Sequence, residues 1–84
     1  MDWLEALLFS HDPIGINFGE NTDEYRSEAE TIALRRDEVG SFQDAQRVVH
    51  EEFVRWFDAG VAGPPERYAA LAREVWRRWS ADRG

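Results

Sequence analysis

The sequence predicts an all-α fold: a compact bundle of three main helices plus a short N-terminal helix, with an extended Pro/Gly loop packed on the core. Three observations predict it. Apolar residues recur at helical spacing in four stretches, cap or breaker residues bound those stretches, and alternation of period two is confined to residues 14–18. The 84 residues hold no internal repeat and no linker long enough to divide them, so the chain reads as one helical domain over residues 1–84.

Residues 2–9 place Trp3, Leu4, Leu7 and Leu8 at helical spacing, a first helix that Ser10 to Pro13 ends. It is too short to stand alone and needs tertiary packing. In the loop that follows, Asp12 before Pro13 favours extended backbone. Ile14, Ile16 and Phe18 then alternate with Gly15 and Asn17, which sends three apolar side chains to one side as a plug. Asn21 with Glu24 makes a capping-box-like start, with Thr22 as a rival cap, for a second helix over about 22–37. Tyr25, Ala29, Ile32 and the stem of Arg36 share its inward arc. Asp23, Ser27, Glu30, Leu34 and Asp37 share the opposite one, an acidic stripe containing one apolar residue out of phase.

Gly40 stops that helix, and Ser41 with Asp44 resembles a cap for a third over about 42–59, ended by Gly60. Phe42, Ala45, Val49, Phe53 and Trp56 form its inward face, widened by Val48 and Phe57; Glu52 falls inside this apolar arc. Val61 to Pro64 connects to a fourth helix over about 65–81, opened by Pro65. It turns Tyr68, Leu71, Ala72, Val75, Trp76 and Trp79 inward and leaves Arg73, Arg77 and Arg78 outside.

Four Trp, five Phe and two Tyr supply the large side chains that so short a chain needs to build a core. The net charge of -7 is uneven: residues 1–40 hold ten acids against three Arg, and residues 41–84 hold seven of each. A field of that sign repels phosphate backbones and anionic membranes and attracts a basic protein. Nucleic acid and membrane are therefore not expected partners. The absence of Cys excludes disulfides, thiolate metal sites and a Cys nucleophile, and with no apolar run near membrane length the expected location is cytoplasmic.

No catalytic set emerges. The stretch HEEFVRW lacks the second His that a zinc-protease helix carries four residues on, and the residue three before His50 is Arg47, not the Glu of a di-iron bundle. If the second and third helices pivot near Gly40, Glu52 comes level with Ser27, gathering Glu24, Glu28, Glu52 and Arg55. These carboxylates are read as a seam neutralised by Arg55 and Arg26, although with His50 they also define a rival metal-dependent site. His11 beside Asp12 has no nucleophile near it, and Asp12 is read as a turn holder. No cofactor is expected.

The segments DPIGI at 12–16, DEY at 23–25 and EAETI at 28–32 together resemble a family of small bacterial helical domains of uncharacterised function. That family carries a Trp-Asp-Pro-Ile-Gly segment and then Asp-Glu-Tyr, and it is related to immunity-type proteins of polymorphic toxin systems. His11 stands where the pattern has Trp, and a looser likeness extends to HEEFVRWF. The resemblance implies a helical fold and a protein-binding role, with no catalytic residues to carry over. The expectation is a non-enzymatic protein-binding domain, an immunity-type inhibitor meeting a basic toxin domain through Asp23, Glu30, Leu34 and Asp37. The alternatives are a homodimeric or otherwise homo-oligomeric structural domain and a metal-dependent enzyme built on Glu24, Glu28, His50 and Glu52.

Overall fold

In the computed structural model, residues 2–11 and 25–82 are described. The loop plug, the Asn21–Glu24 cap, Asp12 and Asp23 lie outside them. Helix α1 spans Asp2–His11, α2 Arg26–Leu34, α3 Phe42–Phe57, a short α4 Ala59–Ala62, and α5 Ala69–Asp82; 3-10 turns occupy Arg36–Glu38 and Pro65–Tyr68. The described residues contain no strand, and the all-α bundle expected from the periodicity is the fold observed. The Cα radius of gyration is 11.9 Å, about that of a tightly folded chain of this length.

Helix α3 is the centre, packed against α2, α4 and α5. Its start is set locally. Ser41 is extended (φ -160, ψ 170) and its Oγ accepts from Asp44 N at 3.1 Å. Asp44 Oδ2 in turn accepts from Gly40 N at 3.0 Å. The acid reaches one residue further back than in a capping box, and this N–H, ahead of Arg47, holds the Asp44 carboxyl below the usual range. Beyond the cap, Ala45, Val48, Val49 and Phe53 are buried, and Phe53 meets Tyr25, Phe57 and Tyr68 at centroid distances of 5.9, 6.0 and 5.1 Å.

Five boundaries differ from the sequence reading. Helix α2 begins at Arg26, after Tyr25 in a turn, and not near Thr22. Helix α1 runs to His11, two residues past Phe9. Helix α2 ends at Leu34 instead of Asp37, because Arg35 (φ -98, ψ 13) bonds back to Ile32 and tightens the chain into the 3-10 turn. The stretch from Pro65 begins as 3-10 before α5 proper. Helix α3 ends at Phe57, and Gly60 lies within α4: the break is made by Asp58, whose φ of 121 is the one positive value at a described non-glycine residue. Asp58 Oδ1 then caps α4 by accepting from Val61 N at 2.8 Å. Gly63 (φ 78) closes α4 at a point where a Cβ would come within 2.7 Å of Arg67 Cζ.

Three carbonyls at the end of α4 are claimed by side chains. Arg67 Nη1 donates to those of Val61 and Ala62 at 3.0 and 3.1 Å, the Tyr68 hydroxyl donates to that of Ala62 at 2.6 Å, and His50 Nε2 donates to that of Gly63 at 2.9 Å. This junction makes Asp58 a place where strain and capping oppose each other. Asp58→Gly is expected to raise stability by about 1 kcal/mol, since glycine removes a strain of about 1–3 kcal/mol and still serves as a cap. Asp58→Ala keeps the strain, loses the cap and is expected to cost about 1 kcal/mol. Urea melts of the two variants check the opposite signs.

Helix α5 buries Leu71, Ala72, Val75 and Trp79 and packs on α3 and α1, and Trp76, expected inward, is half-buried. Arg73, Arg77 and Arg78 are exposed as expected, yet each is engaged: Arg73 over Phe42 at 5.5 Å, Arg77 on Glu74 at 3.1 Å, Arg78 over Trp3 at 5.1 Å. Trp3 meets Trp79 edge-on at 6.2 Å and Arg36 covers Trp79 at 5.8 Å, so a pair of indoles capped by a cation at each end fastens α1 to α5.

Candidate docking face on the α2–α3 edge

The outer side of α2 keeps the phase read from the sequence. Ser27 and Glu30 are exposed, Leu34 is 83% exposed, and Asp37 is exposed in the 3-10 turn. Asp23 lies outside the described residues. Leu34 therefore stands nearly bare, with Glu30 four residues before it and Asp37 three after.

Trp56 belongs to the same edge, contrary to its expected inward position: it is 46% exposed. The indole N–H is the reason. A wholly apolar site would strand that donor, and at the edge Nε1 donates to Thr31 Oγ1 at 3.1 Å. Thr31 and Leu34 are three residues apart, neighbours on one helix surface, so both exposed apolar side chains adjoin the same threonine.

The seam beneath is ionic, but its cation is one the sequence did not single out. Arg35 Nε and Nη2 grip Glu38 at 3.0 and 2.8 Å, Nη2 also donates to Glu51 at 2.7 Å, and Nη1 donates to Glu52 at 3.0 Å. Glu38 first, then Glu51 and Glu52, hold the guanidinium charged beyond its ordinary value, and the same bond holds Glu38 below the usual carboxylate range. Glu52 is 2% exposed; its Oε2 is also 3.8 Å from Arg55, as expected, while its Oε1 is buried with no hydrogen-bond partner among the described residues. Arg26, expected at this seam, reaches Glu5 of α1 at 3.7 Å. The register explains the difference. A turn pivoting at Gly40 brings Ser27 level with Glu52, whereas the 3-10 turn and extended Val39 (φ -103, ψ 108) bring Arg35 there, two helical turns on.

The carboxylate set considered for metal is also dispersed. His50 and Glu52, two apart on α3, project to different sides: His50 towards Gly63 and Tyr68, Glu52 towards Arg35. Glu24 lies outside the described residues. Among those residues no group of three His, Asp or Glu is arranged to hold a metal ion. On the His50 side Gln46 Nε2 donates to the Pro65 carbonyl at 2.8 Å. This bond crosses a groove of about 310 Å³ lined by polar residues of α3 together with Pro65 and Glu66.

Glu28 is the second buried carboxyl, 4% exposed, and burial pushes its pKa up against a smaller opposing backbone hydrogen bond. A folded pKa above the unfolded one means that Glu28 favours folding only below the unfolded carboxyl pKa, and that this contribution is lost as pH rises through the folded value. Glu28→Gln is therefore expected to be more stable than the parent at pH 7. The gap should close as pH falls through the carboxylate range, as urea midpoints measured across that range would show.

Compared with protein-family models, curated proteins and solved structures, the chain matches none. No helix among the described residues is long and apolar enough to cross a membrane.

Proposed function

We propose that the chain is a non-enzymatic protein-binding domain that meets a basic partner through the acidic outer edge of α2, in the manner of an immunity-type inhibitor. The observation that carries this reading is Leu34, 83% exposed between Glu30 and Asp37. An apolar side chain ringed by charge suits the centre of a binding patch, where a few residues supply most of the affinity. The charge asymmetry supports a cationic partner, because opposite fields speed association and set specificity. The immunity setting rests on the resemblance, mainly over residues 11–34 and more loosely over 50–57, and it makes a basic toxin domain the partner to seek.

The test is capture from extracts of the source cell by wild type, by Leu34→Glu, and by the double variant Glu30→Arg with Asp37→Arg. A retained protein is expected with wild type and is expected to fall by at least about tenfold with either variant, while both variants melt like the parent. Equal capture by all three removes this edge from consideration.

A further inference from the structure

Resting on that reading of the edge, we infer that its occupant is a cationic amphipathic helix of the partner, laid beside α2 with its apolar side over Leu34 and Trp56 and its Lys or Arg side chains on Glu30 and Asp37. Four observations carry this. Leu34 and Trp56 are both exposed beside Thr31, giving two apolar anchors on one edge. Trp56 is held by its bond to Thr31, so its ring is oriented before anything binds, and less entropy is lost on association.

Charge frames these anchors on both sides. Glu30 lies one turn before Leu34 on α2 and Asp37 in the 3-10 turn that follows it, both exposed, so a carboxylate flanks the apolar anchor on either side along the chain, which suits a facing helix whose cations flank an apolar residue. On the other side Glu38 and Glu51, both exposed, are fixed by Arg35 and add carboxylate to the rim. Arg35 ties the 3-10 turn after α2 to Glu51 and Glu52 of α3, so the anchors and the rim keep one spacing.

The rival occupants fit less well. A second copy docked by two-fold symmetry would set Glu30 and Asp37 against an equally acidic rim, and like charges across an interface are unfavourable. A second copy docked through its basic helix α5 would have to draw Arg73, Arg77 and Arg78 away from Phe42, Glu74 and Trp3.

The probe is a synthetic amphipathic helix of Leu and Lys, roughly 18 residues or five turns long. It is compared with a scrambled peptide of the same composition and with a Leu/Glu helix. Binding is followed by titration calorimetry and tryptophan fluorescence on the intact chain, with Ala70→Arg on α5 as a surface control. Wild type and the control are expected to bind the Leu/Lys helix at least about tenfold more tightly than the scramble, with a fluorescence shift that Trp56→Phe abolishes. Leu34→Glu is expected to weaken binding about thirtyfold, the Glu30/Asp37 reversal about tenfold, and added salt progressively.

Equal binding of the scramble, binding of the Leu/Glu helix, or no effect of Leu34→Glu would each overturn the inference. So would sedimentation showing wild type to self-associate through Leu34. If extract capture depends on Leu34 but the Leu/Lys helix does not bind, the docking face stands and its assigned occupant is wrong. If capture ignores Leu34, the reading beneath fails instead.

Discussion

Arg35→Ala is expected to lower stability by about 3–5 kcal/mol, the usual cost of stripping the partner from a buried charge. The victim is Glu52, 2% exposed, whose Oε2 takes Arg35 Nη1 at 3.0 Å and whose Oε1 has no hydrogen-bond partner among the described residues. Arg55 at 3.8 Å is too distant and too exposed to replace it. A chain of this length has a total stability of only about 4–12 kcal/mol, so much of the fold's margin depends on one guanidinium. The converse substitution should behave differently. Glu52→Leu removes the buried charge and its orphaned oxygen and leaves Arg35 with Glu38 and Glu51, so it is expected to be near neutral or stabilising. In the double variant most of the loss should be recovered. Urea unfolding with unchanged m-values reads all three, and a single Glu52→Leu loss as large as that of Arg35→Ala would show that the pair itself stabilises the fold.

Phe53→Ala is expected to cost about 3–5 kcal/mol, the range for truncating a buried aromatic. Phe53 is wholly buried and is the ring at which Tyr25 from the start of α2, Phe57 of α3 and Tyr68 before α5 converge. Its removal leaves a cavity bordered by three separate elements, which cannot all close in together. Each kcal/mol moves Tm by about 4–8 °C in a domain of this size, so the variant should be largely unfolded at temperatures where the parent is intact. Phe57→Ala, at a half-buried ring, should lose less than half as much. Near-ultraviolet circular dichroism during a thermal melt follows both.

What could be read from the sequence was whatever depends on near neighbours. The Ser41–Asp44 cap spans three residues and holds. The buried stripes of α3 and α5 follow from spacing alone, as does the exposure of Glu30, Leu34 and Asp37. Failures came where geometry at one residue governs distant pairings. A non-glycine residue with φ of 121 carries no signature, so the sequence points to Gly60, the cheaper stop two residues past the break at Asp58. The chain between Arg35 and Ser41 sets which turn of α2 faces Glu52, and nothing in its composition announces a 3-10 turn there, so nothing in the sequence marks Arg35 as the hub. Trp56 shares a phase with Phe53 and Val49, which points it inward, and its polar N–H is the one clue that it belongs at an edge.

The row of Arg78, Trp3, Trp79 and Arg36 has an optical consequence. Two indoles held edge to face at 6.2 Å couple their electronic transitions, and the coupling persists only while α1 is seated on α5. The first helix thus carries its own reporter: loss of the exciton signal ahead of the amide signal would time its lifting away from a bundle still intact.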